Sequence, residues 1–379
     1  MLILDFTLLL TVNENPSATI TDEIIATTLD TYVGTTVIDQ LALAVPFFDR
    51  MMNSPHNKTQ NGGHRFRVPL RTKQTDGAIS FGKTSTITPQ RKPVVTHAWG
   101  TFKNILQYVR FNAIEERENA GSGKVIDIVA ERLAATLQDG KEDIQTMLWG
   151  DGTGNGTMDF MGITGLIPTD PRTGVIMGYD RAVDGNQWWR NWYWDGTTRG
   201  PHPRFAEPAG GAPANVGAFG VFSSGAGGTG QGVATSFKIF NTGYNSVMQG
   251  QMPGDMFWIS DQAVYEYYET GYPLHTHNVE VPMNEDIVKF GFGGAMFKNV
   301  VWIYDTVENG APADELRLVN TKFTYLMKDS GMWFIWTDWR KPFDQLDRAK
   351  FLLIRGNMVQ SFPRKNAVFQ GITDWTAAS

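Results

Sequence analysis

Between residues 57 and 104 this chain carries nine basic side chains (Lys58, Arg65, Arg67, Arg71, Lys73, Lys83, Arg91, Lys92 and Lys103) and one acid, Asp76. The formal net charge of the whole protein is −6, so a +8 segment sits in a chain whose remaining residues carry −14. Such a segment cannot bury its charged side in an apolar core, because unpaired buried charge is too costly. It must face water or an acidic surface. The local pattern says how. In His64-Arg65-Phe66-Arg67-Val68-Pro69-Leu70-Arg71, Phe66, Val68 and Leu70 fall on one side of an extended chain, and Arg65, Arg67 and Arg71 on the other. A return strand is predicted over roughly 92–109, through Val94, Val95, Trp99, Phe102 and Ile105. Asp76-Gly77 and Gly82 supply turn chemistry between the two. The segment therefore reads as one long basic β-hairpin. A two-stranded hairpin is marginal in water, so this one is expected to rest on something acidic.

Acidic surface is on offer. Residues 112–149 read as helix in two pieces split at Gly121-Ser122-Gly123, with Ser122 as a cap for the second. Ile126, Val129, Leu133, Leu137, Ile144 and Leu148 form its apolar stripe. Acids, among them Glu115, Glu116, Glu118, Asp127 and Glu131, exceed the basic residues there and leave the region at −4. Residues 1–56 hold seven acids against Arg50. Within them, Ile25, Leu29, Val33, Val37, Leu41 and Val45 recur every four residues, which predicts a helical arm over 22–50 that needs a surface to lie on.

The helix region ends at Trp149-Gly150-Asp151-Gly152-Thr153-Gly154-Asn155-Gly156, a strong stop signal. Residues 195–234 contain eleven glycines and four prolines and read as an inserted surface loop. A helix is expected around Phe237, Phe240, Tyr244 and Val247, then a strand at Met256–Ile259. Ser260-Asp261 is expected to cap a further helix ending near Gly271. From about 314 the reading is β: Leu316–Val319, Phe323–Met327, Met332–Trp336 and Phe351–Arg355 are strands. Asp329-Ser330-Gly331 is read as a hairpin turn joining the second and third of these.

Several function classes lose their support. The chain has no cysteine, so disulfides, thiolate metal sites and cysteine nucleophiles are excluded. The N-terminus lacks a basic leader and no apolar run reaches the length of a membrane-spanning helix, so a soluble, cytoplasmically made protein is expected. The acidic net charge argues against a dedicated nucleic-acid binder. Asp151, Thr153 and Asn155 begin like a calcium loop, but Gly162 occupies the position that needs a carboxylate. No phosphate-binding loop and no serine nucleophile elbow is present. His275 and His277 are two ligands in search of a third. Trp188, Trp189, Trp192, Tyr193 and Trp194 suit either a packed core or a sugar-stacking platform, with packing favoured. No metal, cofactor or catalytic residue is assigned.

The order of parts adds a further indication. An acidic arm, a basic hairpin, a long helix, a Gly-Asp-Gly-Thr-Gly exit, a large insertion and a return to strands resembles the major capsid proteins of tailed bacteriophages, whose fold is shared by herpesvirus shell proteins and encapsulins. The strings that carry the resemblance are Leu148–Gly154 with Met161–Ile167, Tyr179–Ala182 with Trp188–Asn191, and Arg364–Ile372. It implies an α+β capsid fold: arm 1–56, extended loop 57–104, peripheral domain 105–150 with 314–379, and axial domain 151–313 bearing the 195–234 insertion. It implies hexamers and pentamers of one chain in an icosahedral phage head around double-stranded DNA, with separate scaffolding, portal and cement proteins as partners and no sequence-specific DNA binding. The basic loop, through Arg65, Arg67, Arg71, Lys73 and Lys83, would meet the acidic helix region of a neighbour. Some family members join a loop lysine to a neighbour's asparagine, for which Lys73 or Lys83 and Asn366 would be the candidates here. An encapsulin-like compartment and a carbohydrate-active protein using the tryptophan cluster are the rivals.

Overall fold

A computed structural model describes residues 44–73, 80–83, 93–118, 127–195, 233–248, 255–271, 295–341 and 347–372. The predicted arm, the glycine-rich insertion, and His275 with His277 lie outside them, apart from the arm's last residues. Helices are α1 (Pro46–Met52), α2 (Ala113–Glu118), α3 (Ile128–Trp149), α4 (Val233–Met248) and α5 (Gln262–Gly271). Strands are β1 (Lys58–Gln60), β2 (Arg65–Arg71), β3 (Val95–Thr101), β4 (Lys103–Asn112), β5 (Val175–Ile176), β6 (Tyr179–Asp180) and β7 (Trp192–Asp195). They continue with β8 (Met256–Asp261), β9 (Ala295–Phe297), β10 (Val300–Asp305), β11 (Glu315–Asn320), β12 (Thr324–Trp336), β13 (Asp347–Gln360) and β14 (Ala367–Gln370).

The chain divides into two compact units. The larger comprises Leu43–Leu106, Gly140–Ile335 and Leu353–Ser379. Its centre is a six-stranded sheet ordered β7-β14-β11-β8-β10-β9. All six residues of β8 are buried, as befits a strand with neighbours on both edges and cover on both faces. Parallel β8 and β10 are linked through α5, since parallel neighbours need a crossover. Side-chain alternation sorts the two faces. Trp258, Trp302, Leu316, Leu318 and Phe369 point to one side, where α4 and α5 bring Phe240, Tyr244, Val247, Val264, Tyr265 and Tyr268. Phe257 and Asp305 point to the other, towards α1 and the last turns of α3: Phe47 lies 5.1 Å from Trp149 and 6.3 Å from Phe257. Asp261 accepts from the Val264 amide, so the expected cap at the start of α5 is present.

The larger unit also contains a two-stranded ribbon, β2 with β3, in antiparallel register from Arg65↔Thr101 to Arg71↔Val95. Its inner face is closed by its own unit: Phe66 and Val68 pack with Phe102, Tyr325, Met327 and Val359. Gly100 is required there, because a Cβ would stand 2.4 Å from the Phe66 ring. The expected return strand over 92–109 is in fact two strands. It breaks at Phe102, whose buried ring turns inward to meet Phe66 edge-on at 5.4 Å. After the break the chain enters a four-stranded sheet ordered β1-β12-β13-β4.

The expected turn at Asp329-Ser330-Gly331 is also corrected: these residues lie inside β12, one strand of 13 residues. Asp329 is buried, accepts the Gly331 amide at 2.9 Å and holds Arg355 at 2.7 Å. Together with the parallel pairing Gln60↔Asp329, this keeps a turn-prone tripeptide extended.

The described residues of the smaller unit are 107–118, 127–139, 336–341 and 347–352. Its core joins Val109, Phe111 and Ile128 to Val129, Leu133, Trp336 and Trp339. Arg132 stacks over Phe111 at 5.1 Å, and Arg110 donates to Asp347 at 2.7 Å. The first turn of α3 is capped by Asp127, whose carboxylate accepts the Ala130 amide at 3.2 Å. Asp127 stands one residue before the helix and serves its free amides directly, whereas Ser122, the expected cap, lies outside the described residues.

Candidate assembly surfaces

The outer face of the ribbon follows from strand alternation. Phe66 and Val68 turn inward, so Arg65, Arg67 and Arg71 are all exposed. Opposite them on β3, Val95, His97 and Trp99 are exposed as well. Val95 is 71% exposed and Trp99 39%, unusual for side chains of this size. The Arg65 guanidinium lies over the Trp99 ring at 4.7 Å. The base of this face is braced from beneath: the Trp99 amide donates to Met177 O at 3.2 Å, and Thr96 Oγ1 shares a 2.8 Å hydrogen bond with the Tyr179 hydroxyl. The strip is thus a firm two-stranded platform presenting three cations with aromatic and aliphatic surface between them. Lys73 and Lys83 are exposed on the described residues beyond it.

The acids expected to face this platform are more occupied than charge counting suggests. Glu115 is half-buried, accepts the Asn112 amide and pairs with Arg132 at 3.5 Å in its own unit. Asp127 caps α3. Glu131 is half-buried on the first turn of that helix. Glu116 and Glu118 have side chains outside the described residues.

Asn366 is fully buried: its Oδ1 accepts the Asn320 amide at 2.8 Å and its Nδ2 donates to Thr324 Oγ1 at 3.0 Å. An amide held this way is closed to a lysine of a neighbouring chain, and the residue acts as a clamp between β11, β12 and β14.

Three tryptophans of the cluster, Trp189, Trp192 and Trp194, are core, and Trp188 is half-buried. Trp189 and Trp194 are each 1% exposed, Trp192 packs against Phe369 at 5.3 Å, and Trp189 Nε1 donates to Ile176 O. No ring of Trp189, Trp192 or Trp194 is free to stack on a sugar. The adjoining Arg181 is wholly buried, donating to Leu166 O at 2.6 Å; burial, with Arg190 close by, lowers its pKa to about 9.

Two buried polar groups hold the larger unit and were not legible as sites. Asp305 is 1% exposed and accepts from Trp149 Nε1 at 2.6 Å, Asn309 Nδ2 at 2.7 Å, the Thr306 amide and Gln145 Nε2. Burial raises its pKa, and those four hydrogen bonds work against the rise. Gln145 in turn accepts the Phe48 amide, and Asn309 donates to Ala44 O, so one carboxylate ties α1, α3 and β10 together. Arg317, buried beneath the same sheet, pairs with Glu315 at 2.5 Å and donates to Thr164 at 2.9 Å. Burial lowers its pKa. Near the end of β8, a shallow cavity of about 480 Å³ is lined by Asp261, Gln262, Ala263, Glu266, Thr306, Val307 and Glu308. Among the described residues no group of three or more His, Cys, Asp or Glu side chains is arranged to hold a metal, and no helix is long and apolar enough to cross a membrane.

No protein-family profile and no curated protein matches the chain. Solved structures do. The capsid subunit of cyanophage A-1(L) superposes with a TM-score of 0.59 at 13% identity, covering 91% of this chain and 98% of that one. An encapsulin of Synechococcus elongatus, from the holo-SrpI complex, gives 0.54 at 10% identity over 93% and 96%. The capsid of a native GTA particle gives 0.52 at 10% over 90% and 95%. The chain therefore has, over 90–93% of its length, the α+β fold of tailed-phage capsid subunits and encapsulins. The expected capsid fold is correct.

Proposed function

We propose that this protein is the major capsid protein of a tailed bacteriophage, forming hexamers and pentamers of an icosahedral head around double-stranded DNA. The observation that carries the reading is correspondence over 91% of the chain to a capsid subunit, joined to an exposed cationic and aromatic platform on β2 and β3. Its role is structural and no catalytic residue is assigned. We assign 57–104 to the extended loop, 105–150 with 314–379 to the peripheral domain, 151–313 to the axial domain, and 1–56 to the arm. Arg65, Arg67, Arg71, Lys73 and Lys83 are the loop's contact residues to a neighbour; Glu115, Glu116, Glu118, Asp127 and Glu131 are the acidic set first matched to them. Scaffolding, portal and cement proteins are separate partners, and DNA is enclosed without sequence reading. The burial of Asn366 supports a shell held without a lysine bond to that residue.

The encapsulin likeness supports a second reading, a cellular compartment of the same fold. Expression of the chain with and without its scaffolding protein, followed by sedimentation and negative-stain microscopy, tests both. Closed shells are expected; shells that form around phage DNA in infected cells support the head, and shells filled with one cargo protein support the compartment. A chain that stays monomeric under every condition overturns both.

A further inference from the structure

The chain contains three Asn-Gly pairs: Asn61-Gly62, Asn155-Gly156 and Asn309-Gly310. Such a pair is chemically self-reactive, because glycine puts no side chain between the asparagine carboxamide and the next backbone nitrogen. The fold treats the three differently. Asn309 is 4% exposed, and its Nδ2 donates to Ala44 O at 2.8 Å and to Asp305 Oδ1 at 2.7 Å. Asn155 is exposed, but its Nδ2 donates to Asp159 Oδ1 at 2.7 Å. Asn61, between β1 and β2, is exposed as well, and its carboxamide makes no hydrogen bond to a described residue. Neither does the Gly62 amide. The turn is held by other groups: Gln60 Nε2 donates to Gly62 O at 3.1 Å, and Arg355 Nη2 donates to Gly63 O. Gly62 has φ +67° and open space where a Cβ would stand, and Gly63 follows at φ +91°. Two successive glycines give this backbone the freedom to bring Asn61 Cγ onto the Gly62 nitrogen.

We propose that Asn61-Gly62 is a self-modification site, at which the Asn61 carboxamide converts to aspartate and isoaspartate at the root of the ribbon. The Gly62 nitrogen, having given its proton to solvent base, forms a bond to Asn61 Cγ. The Cγ–Nδ2 bond breaks, and Nδ2 takes a proton from water and leaves as ammonia. Water then opens the cyclic imide at one of its two carbonyls. Opening at Cγ gives aspartate; opening at the backbone carbonyl leaves the chain running through the side-chain carbons, as isoaspartate. Either product adds one negative charge to the +8 segment 57–104 and takes it to +7. Isoaspartate also adds one backbone atom between β1, which is paired with β12, and β2, which is paired with β3. The site therefore alters both the charge of the ribbon and the link that sets its position.

The test is incubation of the full-length protein at mildly alkaline pH, with each Asn-Gly pair followed by peptide mass spectrometry. A parallel sample in urea sets the rate of each pair in the unfolded chain. Asn61 is expected to react within about threefold of its unfolded rate, since no local opening has to precede the attack. Asn155 must first release a hydrogen bond to a carboxylate, so it is expected to be slowed about tenfold or more. Asn309 is expected to stay intact, because its reaction requires opening of the core. In Asn61→Gln the longer side chain closes its ring far more slowly. This variant is expected to melt like the parent and to lose most of the acidic species that ion exchange resolves from the aged protein. An Asn61 that is protected as strongly as Asn155 overturns the proposal. So does an acidic species that persists at full level in Asn61→Gln. The measurement is made on the free subunit, so its outcome is independent of the shell reading.

Discussion

The six-stranded sheet and the β2–β3 ribbon are built from similar residues and treat them in opposite ways. The sheet covers both its faces with its own chain, and Trp258, Trp302 and Phe369 are each no more than 1% exposed. The ribbon covers one face, through Phe66 and Val68, and leaves Val95 and part of Trp99 in water beside three arginines. Stability in the first is intrinsic. In the second it is partial, and the uncovered half costs little in the free subunit because the guanidiniums stay hydrated. The difference separates what folds the subunit from what joins it to another, and substitutions should divide along the same line.

The largest effect belongs to the sheet. The Trp258 ring centroid lies no more than 6.2 Å from those of Phe240, Trp302, Phe297 and Phe369. Trp258→Ala should cost about 3–5 kcal/mol and leave little soluble subunit at 37 °C. Urea unfolding at lower temperature measures it; a loss under 1 kcal/mol would mean that this sheet is not the folding core.

Second in size is the inner half of the ribbon, which tests whether the covered face behaves like the sheet. Gly100→Ala drives a methyl into the Phe66 ring, so a cost of about 1–3 kcal/mol is expected from overpacking. Phe66→Leu in the same chain should return part of it by making room. Additive losses instead of partial relief would show that Gly100 is needed for another reason.

How much of this was legible beforehand follows from range. Alternation in Arg65–Arg71 and the Asp261 cap are local, and both are present in the structure. The Asp305 hub is not local: Trp149 and Asp305 lie 156 positions apart, and nothing near either residue marks the pair. The same holds for Asn366, whose partners Asn320 and Thr324 are 46 and 42 positions away. Read from its own neighbourhood, it is an ordinary amide near a loop. Asp329-Ser330-Gly331 misled for the converse reason, since a strong local turn signal was overruled by Arg355 on the adjacent strand. The capsid fold was legible because the order of whole elements survives when single contacts cannot be read.

A third difference between the regions is electrostatic. The ribbon keeps its charges exposed, whereas β8 ends in Asp261, 3% exposed, its pKa pushed up to about 6. Burial is the main cause, opposed by the Val264 amide and reinforced by Asp314. The folded state thus holds a proton that the unfolded chain releases near pH 4. The carboxyl's contribution is full below that value and is lost as pH rises through about 6. Asp261→Asn keeps a capping oxygen and removes the titration. Relative to the parent, it should gain stability between pH 4.5 and pH 7.5, read as a rising difference in urea midpoints. A pH-independent difference would place the carboxylate in contact with water.

The smallest expected change in stability is also the sharpest test of the comparison. Arg65 touches Trp99 across the ribbon's open face, and an exposed cation–aromatic pair contributes about 0.5 kcal/mol. Arg65→Ala should therefore shift the unfolding midpoint barely beyond error. Assembly should respond differently. The same substitution removes one of three cations from a surface whose work is encounter, so the rate of shell formation in light scattering should fall, and the fall should shrink as salt is raised and screening takes over. Arg65→Lys should recover the rate at low salt, because a point charge serves attraction as well as a guanidinium does at range, and only the stacking on Trp99 is weakened. A variant that loses stability and assembly in equal proportion would mean that the open face of the ribbon is part of the fold after all, and that the line between folding and joining lies elsewhere in the chain.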